Sequence, residues 1–298
     1  MDLFRLQWYP GHMEKARRAL PGILKHVQFV VEVADARAPA STRNPDLIAL
    51  ASRRPRLLVL AKADLADPGA TAKWLERLAA EGERAVAVSL LDSKVRRTIA
   101  DAVTEMVGVK NAGRLPTPVL VPGLVLPRSA ARTARGLVVG IPNTGKSTLI
   151  RLFGGRAEKA DRPGVTRGVQ EFSLGGGLTL LDSPGLLWPR AAAGPSALRL
   201  VWLGCVGHAA YDALEAGRHL AEYLSRAHPD RIAARYNLSA GDLADPGEVL
   251  RRVAARRGFV AGGEPDLAKA AQALMADLQS GRLGPITLER PGEEEDAP

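Results

Sequence analysis

The residues best suited to chemistry are Gly140-Ile141-Pro142-Asn143-Thr144-Gly145-Lys146-Ser147, which fit G-x-x-x-x-G-K-[ST]. Gly140 and Gly145 let the backbone curl so that successive N–H groups point inward as an anion nest. A helix expected from Lys146 to Phe153 adds its positive N-terminal end. Lys146 is the point charge for β- and γ-phosphates, and Ser147 offers a hydroxyl to Mg²⁺. Thr148 closes the phosphate-binding run. The stretch Gly136–Gly140 reads as a strand entering a Gly-rich turn, which is the context such a loop needs.

Three further groups complete a nucleotide site. Asp182-Ser183-Pro184-Gly185 follows the apolar strand Leu178–Leu181 and has the DxxG form, with Asp182 for Mg²⁺ and the Gly185 N–H for the γ-phosphate. Thr166 lies between and is a candidate second Mg²⁺ ligand. The strand Leu57–Leu60 ends in Ala61-Lys62-Ala63-Asp64, an N-K-x-D pattern with Ala in place of Asn. Asp64 can accept from both guanine donors, which adenine lacks, so it decides the base. Lys62 can lay its stem along the base, and loss of the Asn at 61 costs about 1 kcal/mol. Ser89-Leu90, after the strand Ala85–Val88, fits the last guanine element.

Strands and helices alternate to about residue 190, with helices expected over 11–27, 45–52, 70–80 and 93–107, which indicates a parallel α/β sheet. The guanine-reading residues precede the phosphate loop, the reverse of the Ras-like order. The expected fold is therefore a circularly permuted Ras-like P-loop GTPase domain, mostly parallel sheet with helices on both faces, over residues 1–190. The Pro- and Gly-rich segment 108–135 would span the old termini. Helices expected over 196–206, 210–226, 246–257 and 265–280 form a small all-α domain at 191–290, with an acidic disordered tail at 291–298.

Apolar residues make up 46% and charged residues 24%, enough for a buried core. No apolar run approaches a membrane span, and the start of the chain has no signal-peptide pattern, so a cytoplasmic protein is expected. One cysteine, Cys205, excludes an intramolecular disulfide and a Cys-built zinc site, and reads as a core filler. The net charge of +9 is uneven: residues 1–190 carry 29 Lys and Arg against 17 Asp and Glu. A basic balance suggests an anionic partner, nucleic acid being the usual one. Arg251, Arg252, Arg256 and Arg257 recur at helical spacing and are the leading RNA-binding candidates. The segment Asp35–Pro45 and the arginines at 128, 132 and 135 are further surface candidates. Aromatics are 4%, too few for an extensive stacking platform.

The chain resembles the bacterial ribosome biogenesis GTPase A family almost end to end. The resemblance rests on Trp8-Tyr9-Pro10-Gly11-His12-Met13, Asp35-Ala36-Arg37 with Pro39, Ser41, Asn44 and Pro45, Gly140–Ser147, and Asp182–Leu187 with Trp188-Pro189. Arg256-Arg257-Gly258, Gly262-Gly263 and Gly281–Gly284 extend it. It implies a factor for late assembly of the large ribosomal subunit, bound as GTP form and released after particle-stimulated hydrolysis, with the helical domain on rRNA. The residue after Gly185 is Leu186, which cannot orient water. The resemblance gives that role to His12, and gives Asn143 a part in holding K⁺. Two departures, Ala61 and Leu90, bear on base affinity. A monomer is expected. Two other readings stay open: an rRNA-binding scaffold with little catalysis, and a permuted GTPase acting on the small subunit or translation.

Overall fold

The computed structural model describes residues 4–6, 20–51, 54–108, 120–121, 124–125, 134–154, 171–182 and 193–292. Expectations that fall on His12, Thr166, Gly185, Leu186, most of 108–135 and the end of the acidic tail lie outside these residues. The chain forms two compact units. One holds Pro10–Asp64 and Ala72–Trp188, the other Met1–Tyr9, Leu65–Thr71 and Pro189–Pro298.

The first unit is built on β1 (Phe29–Asp35), β2 (Arg56–Ala61), β3 (Arg84–Val88), β6 (Ala134–Val139), β7 (Glu171–Gly175) and β8 (Leu178–Asp182). The short strands β4 (Leu120–Val121) and β5 (Leu124–Val125) pair only with each other. The six-stranded sheet has the order β3-β2-β1-β6-β8-β7. All pairings are parallel except β7 with β8. The loop-bearing strand β6 lies between β1 and β8. Strands earlier in the chain stand on one side of it, and later ones on the other. A permuted chain builds this arrangement, because the sheet is one continuous α/β layer whichever connection is cut.

The strand β1, FVVEVAD, is buried throughout, as a parallel strand covered on both faces must be. Its alternate residues serve two cores. Phe29, Val31 and Val33 join Ile99 and Val103 of α3 (Val95–Val107) and Leu149 and Ile150 of α4 (Lys146–Leu152). Val30 joins Leu20, Ile23 and Leu24 from the helical residues 20–24, and Leu47 and Ala51 of α1 (Pro45–Ala51). Helix α2 (Pro68–Ala80) follows β2. Glu32 is a charge in the middle of β1. It is 2% exposed and paired with Arg43 at 3.2 Å, and both arginines beside it, Arg43 and Arg56, also reach Glu83.

The antiparallel edge strand β7, with the short strands and the helix at Pro229–Tyr236, is one of the elements that the sequence reading does not anticipate. Its signal is present: Phe172 and Leu174 alternate with exposed positions, and the turn Gly175-Gly176-Gly177 has φ of 90°, 59° and 80°. Only glycine adopts such values in succession without strain.

The second unit contains α5 (Gly194–Trp202), α6 (Ala213–Ala227), α7 (Pro229–Tyr236), α8 (Pro246–Arg257) and α9 (Leu267–Gln279). A two-residue hairpin of β9 (Val260–Ala261) and β10 (Glu264–Pro265) turns at Gly262 and Gly263. Asp212, Asp245 and Asp266 cap α6, α8 and α9 by accepting from Glu215, Gly247 and Lys269 N–H groups. Pro229 separates α7 from α6. Cys205 is buried, as expected.

The expected domain division is corrected at two places. Arg5 bridges Ala193, and Leu65–Thr71 groups with the helical unit rather than with the sheet. The carbonyl of Leu65 accepts from the Ile286 N–H at 2.9 Å, and the Asp67 N–H donates to Thr287 Oγ1 at 2.9 Å. Among the described residues, no helix is long and apolar enough to cross a membrane.

Gly217 sets how closely α6 and α9 pack. A Cβ there would lie 2.2 Å from Ala271 Cβ and 2.8 Å from Ala271 Cα. Neither atom can swing away, so the helices would have to part. Gly217→Ala is expected to destabilise the helical unit by about 1–3 kcal/mol through overpacking, despite the roughly 1 kcal/mol gain in helix propensity. Thermal melting followed at 222 nm checks this, and an unchanged or raised transition would contradict the close approach.

Candidate functional site

Every candidate for nucleotide chemistry in the described part of the sheet unit follows the carboxyl end of a parallel strand. Asp35 ends β1, Ala61–Asp64 follow β2, Ser89-Leu90 follow β3, Gly140–Ser147 follow β6, and Asp182 ends β8. The order in which successive strands join the sheet reverses between β1 and β6, which run parallel, and this makes their carboxyl edge the crevice where open α/β sheets bind ligands.

The phosphate loop is shaped by close approach. A Cβ at Gly140 would lie 2.6 Å from the Val33 carbonyl oxygen, so only glycine lets the loop leave β6 against β1. Gly145 caps α4 at φ 113°, and a Cβ there would meet Ala61 Cβ at 3.1 Å and a Leu90 methyl at 3.2 Å. Thr144 is fully buried and its hydroxyl donates to the Ile141 carbonyl at 3.0 Å, closing the loop on itself. Ile141 is buried, Pro142 half-buried, and Asn143 exposed at φ 62°. Ser147 is exposed on the first turn of α4. The Thr148 hydroxyl accepts from Arg151 at 3.4 Å. Lys146 Nζ donates to Asp182 Oδ1 at 2.7 Å, which joins the phosphate loop to the DxxG aspartate.

The loop after β2 is tied to the phosphate loop through Lys62. Lys62 has φ 60°, and its Nζ donates to the Asn143 carbonyl at 2.5 Å and pairs with Asp35 Oδ2 at 2.9 Å. Ala61 is fully buried beneath Gly145. Ala63 and Asp64 open a 3-10 turn, with Asp64 exposed. Leu90 is 6% exposed and packs in the core, its methyl against Gly145.

Asp35 and Arg37 are the residues that sequence reasoning misplaced. The segment Asp35–Pro45 was expected on an RNA-binding surface, yet Asp35, Arg37, Thr42 and Asn44 are each at most 2% exposed. Arg37 donates to both Asp35 oxygens, at 2.9 and 2.8 Å. Burial alone would raise the Asp35 pKa, but hydrogen bonding and charge from Arg37, then Lys62, outweigh it and hold the carboxyl below its ordinary range. The missed signal is position: Asp35 ends the strand beside β6, at the same edge as the phosphate loop. Arg135 is likewise not a free surface group, since it is buried and paired with Glu171 at 3.4 Å.

In the helical unit, the four-arginine face divides. Arg251 pairs with Glu248 at 3.1 Å, and Arg252 pairs with Asp242 and Glu248, both at 3.1 Å. Arg256 is exposed and has no acidic partner among the described residues. Arg257 instead reaches Asp277 at 2.6 Å. Burial would raise the Asp277 pKa, but hydrogen bonds from Arg235, Tyr236, Arg257 and Arg282 prevail and lower it. A carboxyl depressed in the folded state contributes stability above its ordinary value of 3.8, and loses it as pH falls through the folded value. Arg257→Gln removes one of those bonds, so its acid-unfolding midpoint, read by circular dichroism, should move to higher pH. An unmoved midpoint would mean that the arginine does not support the carboxylate.

The fold and the site together define a circularly permuted P-loop GTPase: the phosphate loop on the central strand, and the strands β1 to β3 carried upstream of it. The comparisons agree. The family model described as "50S ribosome-binding GTPase" matches residues 135–211. The ribosome biogenesis GTPase A of Bacillus cereus is 34% identical over 97% of this chain and 95% of its own. The mitochondrial ribosome-associated GTPase 1 of Bos taurus is 32% identical over 95% of this chain and 88% of its own. The crystal structure of GNP-bound YlqF from T. maritima superposes with a TM-score of 0.64 at 26% identity, covering 93% of this chain and 99% of that one. The chain belongs to the ribosome biogenesis GTPase A family. It is a GTPase of ribosome biogenesis.

Proposed function

We propose that this GTPase binds the large ribosomal subunit precursor in its GTP form, in the cytoplasm, and leaves after hydrolysis that the particle stimulates. The observation that carries the reading is the guanine-nucleotide site gathered at one sheet edge, in a chain whose matching family model names 50S ribosome binding. Asp64 reads the base, Lys146 and the backbone of Gly140–Thr148 hold the phosphates, and Lys62 joins the two loops.

The donor set at the edge fits Mg²⁺. Asp182 offers one half-exposed carboxylate and Ser147 one exposed hydroxyl, with Thr166 as a third candidate. Few protein ligands, with room for waters and phosphate oxygens, suit this ion. When bound it neutralises charge on the β- and γ-phosphates. Asn143 is the candidate to help hold K⁺, and His12 to orient the attacking water. With Leu186 in place of a polar residue, intrinsic turnover is slow until the particle completes the site.

GTP turnover measured in K⁺ and Na⁺ buffers, with and without purified large subunits, at two salt concentrations, tests the reading. The expected result is stimulation by subunits that fades at high salt and is stronger in K⁺. A chain that binds the subunit but turns over no GTP under any condition would instead be a scaffold.

A further inference from the structure

Asp277 of α9 is 1% exposed, and three arginines converge on it from different elements. Arg235, near the end of α7, donates from Nε to Oδ2 at 2.7 Å. Arg257, the last residue of α8, donates from Nη2 to both oxygens, at 2.8 and 2.6 Å. Arg282, just beyond α9, donates from Nη1 to Oδ1 at 3.3 Å. The Tyr236 hydroxyl adds a bond to Oδ2 at 2.9 Å. Asp277 is the sole acidic partner of each arginine among the described residues.

One buried carboxylate needs one guanidinium to balance its charge. Three leave a local surplus of two positive charges, an arrangement that costs repulsion and serves no neutralising purpose within the fold. The ends of α7 and α8 temper the surplus with partial negative charge, but both carry capping N–H bonds, from Asn237 and Gly258. The three arginine side chains remain 31–58% exposed, and each guanidinium has more N–H donors than its bonds to Asp277 use. Asp277 therefore acts as a hub that fixes three planar forks at the surface.

We infer that Arg235, Arg257 and Arg282, held by Asp277, form a preorganised site for the phosphodiester backbone of RNA. The inference rests on the ribosomal reading above and places its RNA contact at a different group from the Arg251/Arg252 face. Those two arginines spend their charge on Glu248 and Asp242. Planar forks match phosphate oxygens bidentately, and forks already held in place lose little freedom on binding. Two surplus charges suit two successive phosphodiesters of one charge each. Arg256, next in the chain to Arg257 and without an acidic partner among the described residues, extends the site.

The test uses the full chain and a fluorescein-labelled 24-nucleotide RNA hairpin, with anisotropy measured between 50 and 200 mM KCl. The double variant Arg235→Gln/Arg282→Gln should bind about tenfold more weakly at low salt. Its plot of log affinity against log salt should be shallower by about two. Guanine-nucleotide affinity should be unchanged, and Arg251→Gln/Arg252→Gln should keep the parent slope. If the double variant misfolds, Arg282→Gln alone, at the most exposed of the three, should reduce the slope by about one. A parent slope in the folded variant overturns the site. So does displacement of the hairpin by poly-glutamate as readily as by unlabelled RNA, which would mark an acidic protein partner. Subunit-stimulated turnover is scored separately: stimulation with an unchanged slope overturns the arginine site alone, whereas a reduced slope without stimulation overturns the ribosomal timer alone.

Discussion

Asp64→Asn should weaken GTP binding by about 10²–10⁴-fold and create affinity for xanthosine triphosphate. Guanine presents two donors to this position, its N1–H and its exocyclic amine, and a carboxylate accepts both. Charge-assisted hydrogen bonds contribute about 1.5–3 kcal/mol each, so losing one, weakening the other to a neutral bond and setting a donor against a donor gives the stated range. Asparagine offers one acceptor and one donor. Its amide then faces the guanine amine, donor against donor, whereas xanthine presents a donor and a carbonyl and pairs correctly. The exchange leaves folding intact, because Asp64 is exposed at the start of a 3-10 turn. Competition binding with the two nucleotides decides the matter. Retained GTP affinity with no response to the xanthine nucleotide would remove Asp64 from base recognition.

Lys146→Ala should lower GTP affinity and turnover by about 10²–10³-fold, the effect of removing one preorganised charge-stabilising donor. The thermal transition should hardly move. The partner that Lys146 leaves, Asp182, is 34% exposed and can be solvated. An ion pair of that kind is worth about 0–1 kcal/mol. Binding and folding therefore separate in one variant. Calorimetric titration with GTP, alongside a melting curve, tests both halves. A large fall in melting temperature with full nucleotide affinity would recast Lys146 as a structural residue bound to Asp182.

Much of this site was legible because its parts are local. The phosphate loop, the Lys62-Ala63-Asp64 element and Asp182 each declare themselves by spacing and by the strand that precedes them. The permutation followed from their order, and the sheet order β3-β2-β1-β6-β8-β7 agrees with it. What sequence could not supply was pairing at a distance. Nothing local distinguishes Arg37 in a solvated loop from Arg37 buried against Asp35. Helical spacing put Arg257 with its neighbours, but its partner, Asp277, lies twenty positions on and one helix away. Leu65–Thr71 reads as the lead into a helix of the sheet unit, yet its backbone bonds to Ile286 and Thr287. The β7 edge strand was overlooked despite a local signal, because three glycines read more readily as a loop than as a hairpin turn.

The placement of β6 beside β1 has a consequence during synthesis. A ribosome makes β1, β2 and β3 with their crossover helices first, so that half of the sheet is complete before the strand that carries the phosphate loop exists. At about 5–20 residues per second, the wait between residue 89 and residue 147 is roughly 3–12 s. During that interval β1 is an open edge, seven residues long and otherwise apolar except at Glu32 and Asp35. Such an edge invites pairing with other nascent chains. Glu32, already able to pair with Arg43 and Arg56 from the half made earlier, places a charge at the middle of that edge, where a gatekeeper against misassembly belongs.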